Sequence, residues 1–173
     1  MEIIGRPNPE DAPPWCPYFF SLVPESDLFD ALHRNREAVL ALIAAVPPGR
    51  EDYRYAADKW SVRDVFLHLN DTERFYAYRA FSASRKVDIS LEFAPERETY
   101  ARNAPPRPLA AIAEEFQLLR DATIHLFRHM TEDTIDFCDF PGKMRYSARS
   151  LGWMTVGHAT HHLRLLLDRY GLV

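Results

Sequence analysis

Residues 157–164 read Gly-His-Ala-Thr-His-His-Leu-Arg, and they place three of the seven histidines of the chain within five residues. Positions i and i+4 of an α-helix lie one above the other, so His158 and His162 can offer two imidazoles to one metal ion. His161 points away from His162 and is interpreted as a flank residue. One helix supplies two ligands comfortably and rarely three. The stretch therefore predicts half of a metal site, with the third ligand on another helix.

Apolar residues recur at helical spacing in four segments, at about 26–46, 61–85, 108–130 and 147–170. Within the second segment, Ser61 and the acidic residue three positions later form a capping-box start. Four amphipathic helices predict an all-α four-helix bundle, either antiparallel or with a crossover. The long connection of residues 86–107 favours a crossover between the second and third helices, or a functional loop.

His68 lies on the apolar stripe of the second segment, between Val65 and Thr72. A histidine that faces a bundle interior needs a polar partner. Ligands in bundle cores come from facing helices, so His68, His158 and His162 form the predicted metal site, with positions left open for water or substrate. Three hydrogen-bonded core histidines without an ion are the alternative interpretation.

Acidic residues around His68 are candidates for supporting roles. Asp64 and Asp71 lie four residues before and three residues after His68. Either carboxylate can accept a hydrogen bond from the ring nitrogen that does not face the metal, and so fix the tautomer. Asp71 and Glu73 are also the predicted acid or base residues of the site.

Composition disfavours several other classes of function. The net charge of −4 supplies no global basic field, which disfavours binding to nucleic acid or to an anionic membrane. The chain has no apolar run of membrane-spanning length, and its N-terminus has no apolar signal core, so we expect a cytoplasmic protein. Cys16 and Cys138 make no disulfide framework and are interpreted as reduced thiols.

The first 25 residues differ from the rest of the chain. They hold six of the thirteen prolines, interleaved with Trp15, Tyr18, Phe19 and Phe20. The proline density predicts no helix there, and the aromatic residues predict that the segment packs on the body or on a partner. We therefore divide the chain into a Pro/aromatic-rich arm at 1–25 and a bundle domain at 26–173.

Residues 60–73 read Trp-Ser-Val-Arg-Asp-Val-Phe-Leu-His-Leu-Asn-Asp-Thr-Glu, and His-Ala-Thr-His-His follows at 158–162. In order and spacing these motifs resemble the DinB/YfiT-like superfamily of metal-dependent enzymes, over about residues 26–170. The resemblance implies a four-helix bundle with a long crossover, often a homodimer, and a divalent metal held by three histidines. Carried over residue by residue, these are His68, His158 and His162. Leu165 stands where members often carry a glutamine.

The resemblance also implies a range of activities. Characterised members include transferases that add bacillithiol or mycothiol to electrophiles, and enzymes that isomerise thiol adducts. We therefore expect a divalent-metal-dependent enzyme that acts on a small molecule, as a low-molecular-weight thiol S-transferase or a related hydrolase. Zinc or nickel is the expected ion, although three imidazoles also suit iron. The alternative is a non-catalytic, metal-stabilised dimeric bundle that binds a ligand or partner.

Overall fold

The computed structural model describes residues 2–87, 104–138 and 145–172, and the regular elements in those ranges are all helical. None of these helices has the length and apolar character needed to cross a bilayer. The elements follow in the order 3-10 turn (Pro9–Asp11), α1 (Cys16–Ser21), α2 (Leu28–Ala45), α3 (Val62–Ser84), α4 (Leu109–Arg128), α5 (Glu132–Ile135) and α6 (Ala148–Tyr170). The four long helices, α2, α3, α4 and α6, confirm the predicted all-α four-helix fold.

Local sequence explains where these helices begin and end. Ser61 and Asp64 form the predicted capping box of α3, because the Asp64 carboxylate accepts from the Ser61 N–H at 2.9 Å while the Ser61 hydroxyl accepts from the Asp64 N–H at 3.1 Å. A second capping box, from Ser147 and Ser150, opens α6. Gly171 ends α6 in the left-handed conformation with φ 63°. The two helices that carry the predicted ligands thus have well-defined starts.

The prediction that proline excludes a helix from residues 1–25 is wrong at α1. Pro17 is the second residue of this short helix and lies in its first turn. The first N–H groups of a helix have no partner within the helix, so a residue without an N–H is tolerated there. Proline density therefore shortened the helix and did not prevent it.

The packing order confirms the predicted crossover. α2 and α3 each pack against both α4 and α6, so consecutive helices α2 and α3 lie across the bundle from each other. Asn70 bonds to the Ile112 carbonyl and Glu73 bonds to Arg120, so contacts advance in the same direction along α3 and α4. Parallel neighbours require a connection that returns the chain along the bundle. Most of that connection, residues 88–103, lies outside the described residues.

Two apolar clusters fill the bundle, and a polar layer lies between them. At its centre Arg120 has no exposed surface and donates to the two Glu73 carboxylate oxygens at 2.8 and 2.9 Å. The same guanidinium donates to the Leu32 carbonyl and to Asn35 Oδ1, both at 3.0 Å. Asn35 in turn donates to Thr160 Oγ1 at 3.2 Å. This network joins all four long helices beside the predicted metal site.

A second polar contact between α3 and α4 predicts that part of the free energy of unfolding is lost in acid. Glu115 accepts from Asn70 at 2.7 Å, from Arg107 at 2.6 Å and from Arg74. The bond from Arg107, with further contributions from Arg74 and Asn70, lowers the pKa of Glu115 from 4.5 to about 2. A depressed carboxyl pKa stabilises the fold above the unfolded pKa, and that stabilisation disappears as the pH falls toward the folded value.

We expect Glu115→Gln to be less stable than the original protein above about pH 4.5, with the difference shrinking as the pH approaches about 2. Urea unfolding of both proteins across this range measures the difference in the free energy of unfolding. A difference that stays constant down to the lowest pH would contradict the assignment.

Candidate metal centre

The three predicted ligands meet because α3 and α6 pack side by side in opposite directions. Tyr170, at the end of α6, bonds to the carbonyl of Trp60 just before α3, whereas His158, earlier in α6, contacts Tyr76 late in α3. This antiparallel register brings position 68 opposite positions 158 and 162. The i, i+4 pair on α6 and one residue of α3 thus face each other in the bundle interior.

The histidine cluster has the spacing of a shared metal site. The Nε2 atoms of His68 and His162 each lie 3.2 Å from Nε2 of His158, and one ring nitrogen from each residue lies within 4.8 Å of the others. Nitrogens bound to one tetrahedral zinc ion at 2.0–2.1 Å lie about 3.3 Å apart. The residues are 7, 7 and 9 % exposed for His68, His158 and His162. The cluster is buried, yet it retains a small contact with solvent.

The protonation state of His162 is compatible with binding a cation. Burial lowers the pKa of His162 well below its usual 6.5, and His68 and His161 lower it further. Its Nδ1 is buried and has no hydrogen-bond partner among the described residues. With the proton assigned to Nδ1, the lone pair of the neutral ring is on Nε2 and faces His158. Divalent cations bind the neutral ring, so these donors fit such an ion.

Thr72 supports His158 from α3. Its hydroxyl donates to the His68 carbonyl at 2.8 Å, and its oxygen lies 3.5 Å from Nδ1 of His158. A proton held on Nδ1 by this oxygen leaves Nε2 of His158 free to bind a metal. The bond is long, so its contribution is at the weak end of such contacts.

We expect Thr72→Val to lower metal affinity by about tenfold, the low end of the range for residues that orient a ligand. Competition with a chromogenic chelator measures this affinity. Thr123→Val is the matched control, because the Thr123 hydroxyl bonds to the Leu119 carbonyl within α4. Equal affinity in Thr72→Val and the original protein would show that Thr72 does not orient His158.

Aromatic rings surround the cluster. The Trp60 ring lies 4.5 Å from the His68 ring and 6.1 Å from the His162 ring, stacked at 22° on the latter. Phe19 and Tyr76 lie 5.9 and 5.7 Å from the His158 ring, measured between centroids. These contacts give the cluster apolar sides.

The structure gives the predicted acidic residues other partners. Asp64 accepts from Ser61 within the capping box and pairs with Arg54 at 2.9 Å. Both Glu73 oxygens accept from Arg120, so this carboxylate is engaged in the buried polar layer. Asp71 lies 3.7 Å from Arg74, and burial raises its pKa. The acid–base roles of Asp71 and Glu73 stay predictions.

Other histidines, at the end of α4 and on α6, lie outside the cluster. His125, in the last turn of α4, and His129, directly after that helix, are exposed, with their rings 6.2 Å apart. His161 is half-buried, and its Nδ1 lies 3.0 Å from the Tyr18 hydroxyl of α1. His161 is thus a flank residue whose partner is Tyr18 of the N-terminal arm.

Arg120 and Phe19 are among the residues of the site region to which the sequence analysis gave no role. Arg120 lies four residues after Phe116 and three before Thr123, so the helical spacing already placed it on the buried face of α4. An arginine at such a position indicates a buried partner. Phe19 gave no comparable signal, because its contact with His158 arises only when the arm folds across α6.

Three convergent imidazoles on two antiparallel helices of a four-helix bundle define the chain as a candidate metal-binding bundle protein. The family model of the DinB superfamily matches residues 31–166, and the chain belongs to that superfamily. This match confirms the resemblance seen in the sequence motifs.

A solved structure shares the whole architecture. YfiT from Bacillus subtilis, described as a probable metal-dependent hydrolase with an unusual four-helix bundle topology, aligns with a TM-score of 0.66. The alignment covers 98 % of this chain and 97 % of YfiT, at 16 % sequence identity. At that identity the likeness establishes the fold. No curated protein matches the chain.

Proposed function

We propose that this protein is a divalent-metal-dependent enzyme that acts on a small molecule at the His68, His158 and His162 cluster. The two 3.2 Å Nε2 separations carry this proposal, because they match the spacing of nitrogens around one ion. Membership of the DinB superfamily and the description of YfiT as a probable metal-dependent hydrolase support it. We propose zinc or nickel as the ion, since both accept imidazole ligands.

A divalent ion held by three imidazoles lowers the pKa of a bound water or thiol and so makes a nucleophile available near neutral pH. Several residues of the chain contribute to such a site. The three histidines supply ring nitrogens as ligands, Thr72 orients His158, and the neighbouring aromatic rings restrict water. Asp71, three residues after His68, is the candidate proton acceptor, and burial raises its pKa.

Both thiol S-transfer and hydrolysis suit this arrangement, and neither needs a nucleophile from the protein. Cys16 is buried, and burial raises the pKa of its thiol to about 11, so it is protonated at neutral pH. In the transferase version, the attacking thiolate would come from the small-molecule substrate. In the hydrolase version, water would be the nucleophile.

The test compares metal-free protein with protein reconstituted with zinc or nickel. A panel of low-molecular-weight thiols with 1-chloro-2,4-dinitrobenzene tests S-transfer, and p-nitrophenyl acetate tests hydrolysis. We expect one reaction to require the metal and to disappear in His68→Ala. His129→Ala, which replaces an exposed histidine directly after α4, is the matched control and should behave as the original protein.

Two results would contradict this proposal in different ways. If His68→Ala kept the original metal content, the cluster would not be the metal site. If chelation lowered stability but neither reaction occurred, a metal-stabilised bundle that binds a ligand would replace the enzyme.

A further inference from the structure

The N-terminal arm, residues 2–25, is fastened to the body on the side of α6. Arg6 donates to the Phe20 carbonyl at 3.0 Å, and its guanidinium lies 4.7 Å from the centroid of the Trp153 ring. The Trp153 indole N–H donates to the carbonyl of Gly5 at 2.9 Å. These contacts hold α1, which follows in the arm, against the helix that carries two of the predicted ligands.

α1 approaches α6 most closely beside the metal centre. A Cβ added to Gly157 would lie 2.3 Å from the Phe19 carbonyl oxygen and 2.7 Å from its carbonyl carbon, so only glycine accommodates this approach. One turn later, Nδ1 of His161 lies 3.0 Å from the Tyr18 hydroxyl. Phe19 is thereby fixed next to His158.

Phe19 and Trp60 contact different members of the histidine cluster. The Phe19 ring lies 5.9 Å from that of His158, whereas the Trp60 ring lies 4.5 Å from that of His68 and 6.1 Å from that of His162. Both aromatic residues are only partly buried, unlike the histidines between them. Each of the two rings therefore contacts the cluster and also retains solvent-accessible surface.

We propose that Phe19 and Trp60 determine substrate specificity, by selecting small molecules whose metal-binding atom is attached to an aromatic group. The proposal rests on the metal centre proposed above and adds the chemical class of its substrate. A flat apolar group beside these rings gains ring contacts and displaces water from their exposed surfaces, whereas a small hydrophilic ligand does neither.

Cobalt-loaded protein tests this selection without an enzyme assay, because a thiolate bound to cobalt(II) gives a near-ultraviolet absorption band. Titration with benzyl mercaptan and with 2-mercaptoethanol yields two dissociation constants. We expect the original protein to bind benzyl mercaptan about 3- to 10-fold more tightly, the range of an aromatic pair contact. In Phe19→Ala and Trp60→Ala, compared with the original protein at equal bound cobalt, this preference should fall below about twofold.

Three further variants make the result specific. Phe19→Leu keeps apolar packing should the alanine variant not fold, and it should lose most of the preference. Gly157→Ala keeps every aromatic side chain but displaces Phe19 through its carbonyl, so it should lose the preference too. Trp15→Ala removes an exposed aromatic residue at the start of α1 and should retain it.

The outcomes separate this inference from the proposed function. An unchanged preference in Phe19→Ala and Phe19→Leu, with cobalt bound, overturns aromatic selection and leaves the metal centre intact. An equal loss in Trp15→Ala overturns it as well, because the effect would then follow from the arm in general. Original protein that binds no cobalt overturns the metal centre, and this inference with it.

Discussion

Replacing Arg120 with methionine is expected to lower the free energy of unfolding by about 3–5 kcal/mol, the cost of leaving one member of a buried ion pair without its partner. The guanidinium has no exposed surface and occupies both Glu73 oxygens. Its removal strands the Glu73 carboxylate between two apolar clusters and also frees Asn35 Oδ1, which accepts from Arg120 at 3.0 Å. Urea unfolding followed by circular dichroism measures the loss.

A matched substitution shows whether burial is the cause. Arg36→Met removes a guanidinium that pairs with Asp121, the neighbour of Arg120 on α4, but there the side chains are 25 and 44 % exposed. Exposed pairs contribute about 0–1 kcal/mol, so this variant should remain near the original stability. Adding Glu73→Leu to Arg120→Met should restore part of the loss, because the stranded charge is gone. Equal losses in Arg120→Met and Arg36→Met would contradict the role assigned to the buried pair.

Replacing His158 with alanine is expected to abolish stoichiometric metal binding. His158 is the member whose Nε2 lies 3.2 Å from both other Nε2 atoms, so its loss removes the centre of the cluster. Removing a residue that orients a ligand weakens metal affinity by about 10- to 100-fold, and removing the ligand itself should weaken it further. At a free metal concentration about 100-fold above the dissociation constant, the original protein gains about 2.7 kcal/mol of stability. The variant should gain almost none.

His161→Ala is the control for this experiment. The residue belongs to the same helix and is also a histidine, but its Nδ1 lies 3.0 Å from the Tyr18 hydroxyl and it is outside the three-histidine cluster. We expect it to bind metal and to show the metal-induced rise in melting temperature. Elemental analysis and thermal unfolding with and without chelator distinguish the two variants. Metal loss in His161→Ala equal to that in His158→Ala would place the site elsewhere on α6.

Several consequences of the family resemblance still need experiments of their own. The family match over residues 31–166 confirms membership of the DinB superfamily, and the likeness to YfiT confirms the four-helix fold. The reaction, thiol S-transfer or hydrolysis, is a proposal. A homodimer, which the resemblance implies, stays a prediction, and so does the cytoplasmic location expected from the sequence. The structure adds the polar layer and the arm, which neither the family name nor the motifs describe.

The sequence by itself determined the features that depend on neighbours within a few residues. Four amphipathic stripes fixed the long helices, and Ser61 with Asp64 fixed the start of α3. The i, i+4 spacing of His158 and His162 put two imidazoles on one face, and the stripe of α3 turned His68 inward. These signals are local, because hydrogen bonds and side-chain spacing within a helix repeat every turn.

Tertiary structure decided which of these faces meet. Three features depend on contacts between residues far apart in the sequence. They are the parallel packing of α3 and α4, the pairing of Arg120 with Glu73 across 47 positions, and the contact of Tyr18 with His161 across 143 positions. A helical pattern gives the face that is buried but does not give the helix that covers it. For that reason the sequence predicted the three histidines, whereas only the fold placed the arm beside them.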